Sequence, residues 1–353
     1  MHEVMCKQME KRIRNQRREG RRVMRFVGAC CVSVCFSILL LLTACSSIDE
    51  DLSDCGYDYE MVYELQLVTN ISTELQTQLT TETERQVGEA LGNYLSEVFK
   101  DHAQDIHLSF YDVDETGEVL YQREEQMNNS EKSYTIYLPM RQYRHLALAN
   151  LQENTWVHLE NDENSQTSAL VQKEGDVVES HETGIFTARS DMDVLENVDQ
   201  TFLVKLFMAN SAEALVIDPR GQEFKSIQVY ATGFATGFNV NDSIYTFAEK
   251  SPMVHTQEVQ TGTDMLCFCG VNFPSRDKPD GDEPLWEFRV YVTKMDGTVT
   301  ETVLGIRDPL KAGELKIVKA YLDADGSVCP TDATVGVNIT LDWNSGGDYD
   351  TPL

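Results

Sequence analysis

Beyond residue 55, the dominant feature of the sequence is a period of two in the placement of apolar residues. The clearest case is near the C-terminal end, where Val335, Val337, Ile339, Leu341 and Trp343 alternate with small or polar residues. Alternation of this kind puts apolar side chains on one face of a β-strand. The pattern recurs at 59–67, 106–110, 134–138, 202–208 and 286–292. The chain is therefore predicted to be mainly β, with mainly antiparallel sheets.

One segment has the period of a helix instead. Thr81 and Glu84 stand three residues apart, which is the spacing of a capping box at a helix N-terminus. The apolar residues that follow share one side of a helix: Val87, Leu91, Leu95, Val98 and Phe99. A single helix among many strands predicts a β-sandwich with a helical insertion.

The first 45 residues carry a different signature. Nine Lys and Arg residues precede residue 26, an uncharged run of 19 residues follows, and the small residues Thr43 and Ala44 precede Cys45. This order of basic, apolar and small residues is typical of a bacterial lipoprotein signal peptide. We expect cleavage between Ala44 and Cys45 and a diacylglycerol on the Cys45 thiol, with palmitate among the acyl chains. Two or more acyl chains would anchor the protein stably in a membrane.

Two alternatives to this interpretation stay open. An uncharged run of 19 residues is long enough to span a bilayer, and the basic leader would orient an uncleaved signal anchor. Translation could also start at Met24, which would give a signal of ordinary length and the same mature chain.

Removal of residues 1–44 makes the net charge more negative. The chain has 29 Lys+Arg and 58 Asp+Glu, of which the leader holds nine and three, so the remaining 309 residues carry 20 basic and 55 acidic groups, a net of −35. A surface of this sign repels phosphate, which argues against nucleic acid as a partner. It suits a protein that faces extracellular solvent, because like charges limit aggregation.

The length predicts two domains. At about 150 residues per domain, the mature chain divides into two β domains, which we place at 56–187 and 188–353. The signal peptide at 1–44 precedes them, followed by a lipidated tether at 45–55 that is too polar and acidic to pack.

Four cysteines remain besides Cys45 in the mature chain. Cys267 and Cys269 alternate within a predicted strand and would share one face, but the sequence lacks the second ligand pair that a zinc site needs. A disulfide between Cys55 and Cys329 is a candidate. Four cysteines allow three pairings, and the sequence does not choose among them.

The sequence contains no catalytic motif that we recognise. It has no nucleophile elbow, no zinc-protease helix, no phosphate-binding glycine loop and no dinucleotide fingerprint. The histidines are scattered, and we expect them to be surface or partly buried side chains. The acidic loop 277–283 could offer oxygen ligands to calcium, but it lacks the spacing of a calcium loop, which favours a solvated turn. We expect no enzymatic activity, no metal and no cofactor.

Several short stretches of the sequence are informative when they are taken in their order along the chain. They are Asp-Leu-Ser-Asp-Cys at 51–55, the strand and turn at 106–117, Thr-Gly-Ile-Phe at 183–186, the strand at 202–208, and the closing strand at 335–343 with Gly346 and Gly347. Taken together, they resemble the FimB-type anchor subunits of type V fimbriae, the minor-fimbrium anchors included. The likeness extends over nearly all of the mature chain, although the family's usual His-Gly at the domain boundary is missing.

The resemblance implies two tandem transthyretin-like β-sandwich domains, lipidation at the cell outer membrane, and a role in holding the base of a fimbrium to the cell surface. The implied partners are fimbrillin-type subunits, which join by strand addition: a strand from a neighbour completes a sheet edge whose backbone groups are unpaired. We expect the strand at 335–343 to pack in the second sandwich, near the surface that meets the adjoining subunit. An ordinary core strand is the alternative.

The fate of the first strand distinguishes an anchor subunit from a stalk subunit. The resemblance implies that, in stalk subunits, an arginine-specific protease removes the first strand and opens a groove. Between Ser46 and Glu84 this sequence has no Lys or Arg, and Arg85 is the first basic residue. A subunit that keeps its first strand also keeps its lipid, as an anchor should.

Two other functions are alternatives. A fimbrial stalk or tip subunit would share the fold, but a stalk subunit should offer an arginine in the early loop. A glycan-binding surface lipoprotein should expose aromatic side chains on one face. Trp156, Trp286 and Trp343 lie mostly in strand alternation and look like core residues.

Overall fold

A computed structural model describes residues 57–66, 75–99, 105–112, 122–128, 133–160, 167–195, 200–278, 281, 283–332 and 335–343. Ala44, Cys45, Cys55 and the predicted tether lie outside these residues. The cleavage site and the lipidation therefore stay predictions.

The described residues form one long helix, α1 (Glu82–Val98), and 22 strands. The strands up to Met208 are β1 (Tyr57–Gln66), β2 (Asp105–Asp112), β3 (Gln122–Asn128), β4 (Ser133–Leu138), β5 (Gln142–Ala149), β6 (Val157–Glu160), β7 (Ala169–Gln172), β8 (Val177–Glu179), β9 (Phe186–Asp193) and β10 (Gln200–Met208). The later strands are β11 (Ser211–Asp218), β12 (Phe224–Thr232), β13 (Gly237–Asn239), β14 (Ile244–Thr246), β15 (Met253–His255), β16 (Gln257–Val259), β17 (Leu266–Asn272), β18 (Trp286–Lys294), β19 (Val299–Ile306), β20 (Leu315–Leu322), β21 (Val328–Pro330) and β22 (Gly336–Trp343). The mainly β fold class is confirmed.

The capping box predicted for α1 is present. The Thr81 hydroxyl accepts a hydrogen bond from the Glu84 N–H at 3.3 Å, and the Glu84 carboxylate accepts from the Thr81 N–H at 2.9 Å. The apolar side of the helix is buried from Val87 to Val98, and Phe99 ends the helix as its C-cap. The helix thus forms where the sequence places both its cap and its apolar face.

Glu84 also joins α1 to β20. Its carboxylate accepts a hydrogen bond from Lys319 Nζ at 3.0 Å. Burial by itself raises the pKa of Glu84, but the hydrogen bonds from Thr81, Lys319 and Thr80 outweigh it and lower the pKa to about 2. The charged form is therefore the form that the fold stabilises.

We expect Glu84→Gln to lower the free energy of unfolding by about 2 kcal/mol at pH 7, because hydrogen bonds to a charged group are lost. A lowered carboxyl pKa stabilises the fold above the unfolded-state pKa. The deficit of the variant should therefore shrink as the pH falls from about 4.5 towards 2. Urea unfolding across this pH range measures it, with the exposed Glu82→Gln in the same turn as control; equal losses in both variants would contradict the prediction.

The strands form four sheets. The seven-stranded sheet has the order β3-β2-β5-β9-β10-β1-β4, and the four-stranded sheet has the order β14-β13-β7-β6. The five-stranded sheet has the order β16-β17-β11-β20-β21, and the six-stranded sheet has the order β22-β19-β18-β12-β15-β8. Neighbouring strands are antiparallel except in the pairs β1–β10, β11–β20 and β8–β15, which are parallel.

Three apolar clusters hold these layers together. The first joins α1 to one face of the seven-stranded sheet and one face of the five-stranded sheet, with Leu91, Phe110, Leu206, Ala214 and Cys269 among its members. The second lies between the other face of the five-stranded sheet and the six-stranded sheet, with Leu215, Phe268, Trp286, Phe288 and Leu304 among its members. The third joins the seven-stranded and four-stranded sheets through residues such as Tyr111, Leu148, Leu170 and Phe238.

The change from one sheet to the next comes later in the chain than residue 187. That residue lies within β9, the seven-stranded sheet continues to Met208, and the five-stranded sheet begins at Ser211. In addition, β7 and β8 pair with the later strands β13 and β15. The division at 187 stays a prediction, and the described residues form one compact unit.

Among the residues that the structure describes, no helix combines the length and the hydropathy needed to cross a membrane.

Candidate functional site

The edges of the sheets are candidate sites for a protein that would join its neighbours by strand addition. Among the described strands, β22 is the longest strand at a sheet edge, with 8 residues. It pairs with β19 on one side and with no described strand on the other. Positions 337 and 339 stand opposite Leu304 and Thr302, which are both buried. The register therefore gives β22 one free row of backbone groups at the rim of the six-stranded sheet.

Charge distinguishes the long edges from one another. Natural proteins protect exposed edges with charged side chains, because unpaired backbone groups invite another strand. The edge strand β3 carries Arg123, Glu124 and Glu125, whereas β4 has no charged residue and β22 has only Asp342. The remaining edge strands have three or four residues. The described edges best suited to strand addition are therefore β22 and β4.

The first strand, β1, lies inside its sheet. It pairs in parallel with β10, from Tyr59 opposite Gln200 to Gln66 opposite Phe207. On its other side it pairs with β4 in antiparallel register, from Tyr57 opposite Leu138 to Val62 opposite Ser133. Hydrogen bonds on both sides hold β1 in place, so its removal would divide the seven-stranded sheet.

The cysteines differ in their surroundings. Cys267 and Cys269 lie on one face of β17 and are fully buried in the first apolar cluster. Burial raises the pKa of Cys267 to about 12 and raises that of Cys269 well above its ordinary value, so both are unreactive thiols. Cys329 on β21 is partly exposed and forms no disulfide with a described residue. Its candidate disulfide partner, Cys55, lies outside the described residues, and the pairing stays a prediction.

No group of His, Cys, Asp and Glu side chains in the described part of the chain could hold a metal ion. In the acidic loop, Asp277 and Glu283 are exposed, while residues 279, 280 and 282 lie outside the described residues.

The prediction that the histidines lie at the surface or are partly buried is wrong for two of them. His145 and His181 are fully buried, and burial lowers the pKa of His145 to about 4 and that of His181 to about 3. His145 stacks on Phe110 with ring centroids 4.3 Å apart. Both rings are neutral at physiological pH and act as core side chains.

The Thr-Gly-Ile-Phe stretch at 183–186 lies in a densely bonded junction between sheets. The Gly184 N–H donates to the Val98 carbonyl at 2.9 Å, which joins the stretch to the end of α1. A Cβ on Gly184 would lie 2.8 Å from a ring carbon of Phe99, so any larger residue would force this contact apart. On the other side, the Asn210 side chain accepts a hydrogen bond from the Ile185 N–H and contacts His181 Nδ1 at 2.7 Å. The junction thereby links α1, β9, β10 and β11.

A buried carboxyl group lies beside this junction. Glu213 on β11 is fully buried and stands directly opposite Gly270 on β17. Its Oε1 accepts a hydrogen bond from Asn272 Nδ2 at 2.6 Å, while its Oε2 has no partner among the described residues. A Cβ on Gly270 would lie only 2.1 Å from Glu213 Oε1, so the carboxyl group occupies the space that glycine leaves. No local pattern in the sequence marks this pair.

Glu213 should make the stability of the fold depend on pH. Burial raises the pKa of its carboxyl group well above the ordinary value, although the hydrogen bond from Asn272 acts in the opposite direction. A raised carboxyl pKa gives stability that is present at low pH and is lost as the pH rises through the folded-state pKa. We expect Glu213→Gln to remove this loss of stability with rising pH. Urea midpoints at pH 5, 7 and 9 measure it, with the exposed Glu258→Gln as control, and a parallel decline in Glu213→Gln and wild type would contradict it.

The tryptophans agree with their predicted core role as far as the structure describes them. Trp286 is 1% exposed, and its indole N–H donates to the Asp308 carbonyl at 2.9 Å. Trp156 is partly buried against the second apolar cluster, with Lys173 Nζ 5.9 Å from its ring centre. The side chain of Trp343 lies outside the described part. A row of partly buried Tyr and His rings that no sequence pattern indicated lies on the outer face of the six-stranded sheet: His255, Tyr230 and Tyr291.

Comparison with known proteins finds matches among solved structures. The fimbrial anchor protein Mfa2 from Porphyromonas gingivalis is matched over 80% of this chain and 98% of its own, with 11% identity and a TM-score of 0.43. A fimbrial assembly protein from Parabacteroides distasonis is matched over 81% and 99%, with 11% identity and a TM-score of 0.38. A candidate polysaccharide-binding protein from Bacteroides thetaiotaomicron is matched over 79% and 97%, with 9% identity and a TM-score of 0.46.

No family model and no curated protein matches the chain. The solved structures that it resembles include a fimbrial anchor protein and a fimbrial assembly protein.

Proposed function

We propose that this protein anchors the base of a type V fimbrium to the outer membrane. A lipid on Cys45 would hold the chain to the membrane, and the edge of β22 would receive a strand from the adjoining fimbrillin-type subunit. The proposal has no catalytic step.

The position of β1 carries the proposal. This strand is bonded on both sides within the seven-stranded sheet, and the sequence from Ser46 to Glu84 offers no Lys or Arg to a trypsin-like or arginine-specific protease. The lipid and the folded sheet therefore stay in one covalent chain. Retention of this strand is what distinguishes an anchor from a subunit that is cleaved before it polymerises.

The junction at 183–186 supports the same role. A force applied at β22 must reach the N-terminal lipid through the contacts between the sheets. Gly184, Asn210 and Glu213 take part in buried contacts that tie α1 and β9 to β11 and β17. Such contacts suit a protein that is held at one end and pulled at the other.

The N-terminal part of the proposal is tested by measuring the mass of the protein in purified fibres. An intact mature chain that begins with an acylated Cys45 is expected at the fibre base, and a Cys45→Ala variant should be released from the membrane with its fibres. A fibre-associated form that begins after Arg85 would contradict the proposal and favour a stalk subunit.

The contact at β22 is tested by adding charge to the edge. Thr340→Lys on β22 should release fibres from cells, because a lysine at a sheet edge opposes strand pairing. Thr135→Lys on the exposed edge strand β4 is the matched control and should leave fibres attached. Deletion of residues 334–353 should also release the fibres. Release by Thr135→Lys alone, or cell-bound fibres after the deletion, would contradict the assignment to β22.

A further inference from the structure

A cleft opens at the six-stranded sheet, where Leu285 and Trp286 of the second apolar cluster contribute to its lining. It has a volume of about 430 Å³, which lies in the range of small-molecule sites. Its floor includes Thr232, Glu287 and Arg289, and Thr232 and Glu287 face each other across β12 and β18. Residues of the loop before β15 and Pro284 and Leu285 before β18 form its walls.

The charged groups in this cleft come in pairs of opposite sign. Lys250 Nζ lies 2.9 Å from Asp176 Oδ1, and Arg289 Nη2 lies 3.4 Å from Glu287 Oε2. Two cations and two anions leave the lining without net charge, although the chain as a whole carries −29. The cleft therefore suits a neutral ligand that both donates and accepts hydrogen bonds.

The fold leaves Arg289, one of the lining residues, incompletely hydrogen-bonded. The Nε of Arg289 is buried and has no hydrogen-bond partner among the described residues, while Arg289 Nη1 lies 3.9 Å from Glu301 Oε1. A buried donor without an acceptor costs free energy. A ligand in the cleft would contact the exposed part of Arg289, whose side chain is 39% exposed, and would not reach the buried Nε.

Aromatic rings continue the cleft along the same face. Tyr230 stands directly opposite Arg289, and its ring centre lies 5.3 Å from that of His255 and 5.9 Å from that of Tyr291. The Tyr291 hydroxyl donates to Glu301 Oε1 at 3.0 Å. Partly exposed aromatic rings offer an apolar surface with polar rims.

We infer that this cleft and the adjoining ring row bind a neutral saccharide. A sugar ring has C–H groups that pack on an aromatic face, and its hydroxyls donate and accept at once. The hydroxyls match the Glu287–Arg289 and Asp176–Lys250 pairs, and the C–H face matches the Tyr230 ring. The site is separate from the free edge of β22, so binding of saccharide does not depend on the proposed anchoring function.

The test uses the mature soluble chain on an array of neutral oligosaccharides. One set is prepared from mucin and one from bacterial envelope polysaccharide, so the array also distinguishes the two sources of such sugars. A sialylated and sulfated set reports on acidic glycans. We expect retention on a neutral set, with a dissociation constant on the order of 1 mM or lower for the best oligosaccharide.

Two variants remove the cleft groups. Arg289→Gln should weaken binding at least about tenfold, as expected when a hydrogen bond from a charged group is lost. Lys250→Gln should weaken it as well without affecting the fold, because the Lys250 side chain is 81% exposed. The matched control is Arg220→Gln, whose guanidinium lies 3.4 Å from the Tyr321 ring centre, outside the cleft.

Thermal unfolding confirms that each variant is folded before it is measured. Retention on neither neutral set would overturn the inference, as would retention on the acidic set alone. Wild-type binding by Lys250→Gln and Arg289→Gln together would overturn it too, because the saccharide would then bind elsewhere.

Discussion

Gly270→Ala is expected to lower the free energy of unfolding by about 3 kcal/mol, at the upper end of the cost of overpacking a core. The added methyl group would lie 2.1 Å from Glu213 Oε1 and 3.0 Å from Glu213 Cδ. The carboxyl group cannot move far, because Glu213 is fully buried and bonded to Asn272. Any displacement would break that hydrogen bond inside the core. Urea unfolding followed by circular dichroism measures the loss.

A double-mutant cycle shows whether the clash is the cause. Glu213→Ala removes the carboxyl group, so the additional cost of Gly270→Ala in that background should fall by more than half. Contacting residues give coupling energies of about 0.5–3 kcal/mol. Additive losses in the double variant would contradict this explanation.

Gly92→Ala is the matched glycine control. Gly92 lies inside α1, and a Cβ there would meet only Leu75 Cδ1 at 3.5 Å, an ordinary van der Waals contact. Alanine favours a helix over glycine by about 1 kcal/mol. The same substitution should therefore stabilise the protein at residue 92 and destabilise it at residue 270.

Local patterns in the sequence were enough to predict α1 and several of the strands, among them β1, β2, β4, β10, β18 and β22. The capping box of Thr81 and Glu84 marks the start of α1, and period-two alternation marks β2, β10 and β18. These signals involve residues close together in the chain. They determine which face of an element is apolar, and the structure confirms them.

Strand partners could not be predicted in the same way. Alternation defines the face of a strand and leaves open which strand lies beside it. The parallel pairing of β1 with β10, and the pairing of β8 with β15, join segments far apart in the sequence. These pairings combine segments on either side of residue 187, where the sequence had suggested a boundary.

The buried polar groups were missed for a related reason. β11 is buried along both faces from Ser211 to Ile217, because apolar clusters lie on both sides of the five-stranded sheet. From the sequence alone, a glutamate in such a strand would be predicted to face solvent. Only the register with Gly270 shows that Glu213 has a space inside the core.

Trp286→Ala should have the other large effect, a loss of about 3–5 kcal/mol in the free energy of unfolding, as for other buried tryptophans. Trp286 is 1% exposed and packs against Phe288 and Phe234 with ring centroids 5.3 and 5.8 Å apart. Its replacement by alanine leaves a cavity in the second apolar cluster and removes the hydrogen bond to the Asp308 carbonyl.

Trp156→Ala is the matched control for this substitution. Trp156 is only partly buried at the border of the same cluster, so part of the space it leaves opens to solvent and the loss should be about half as large. Equal losses would contradict the assignment of Trp286 to the core. Since Trp286 lies in the sheet that contains β22, Trp286→Ala should also release fibres from cells at a temperature that leaves Trp156→Ala cells fimbriated. Loss of the core and loss of attachment would then share one cause, the unfolding of the six-stranded sheet.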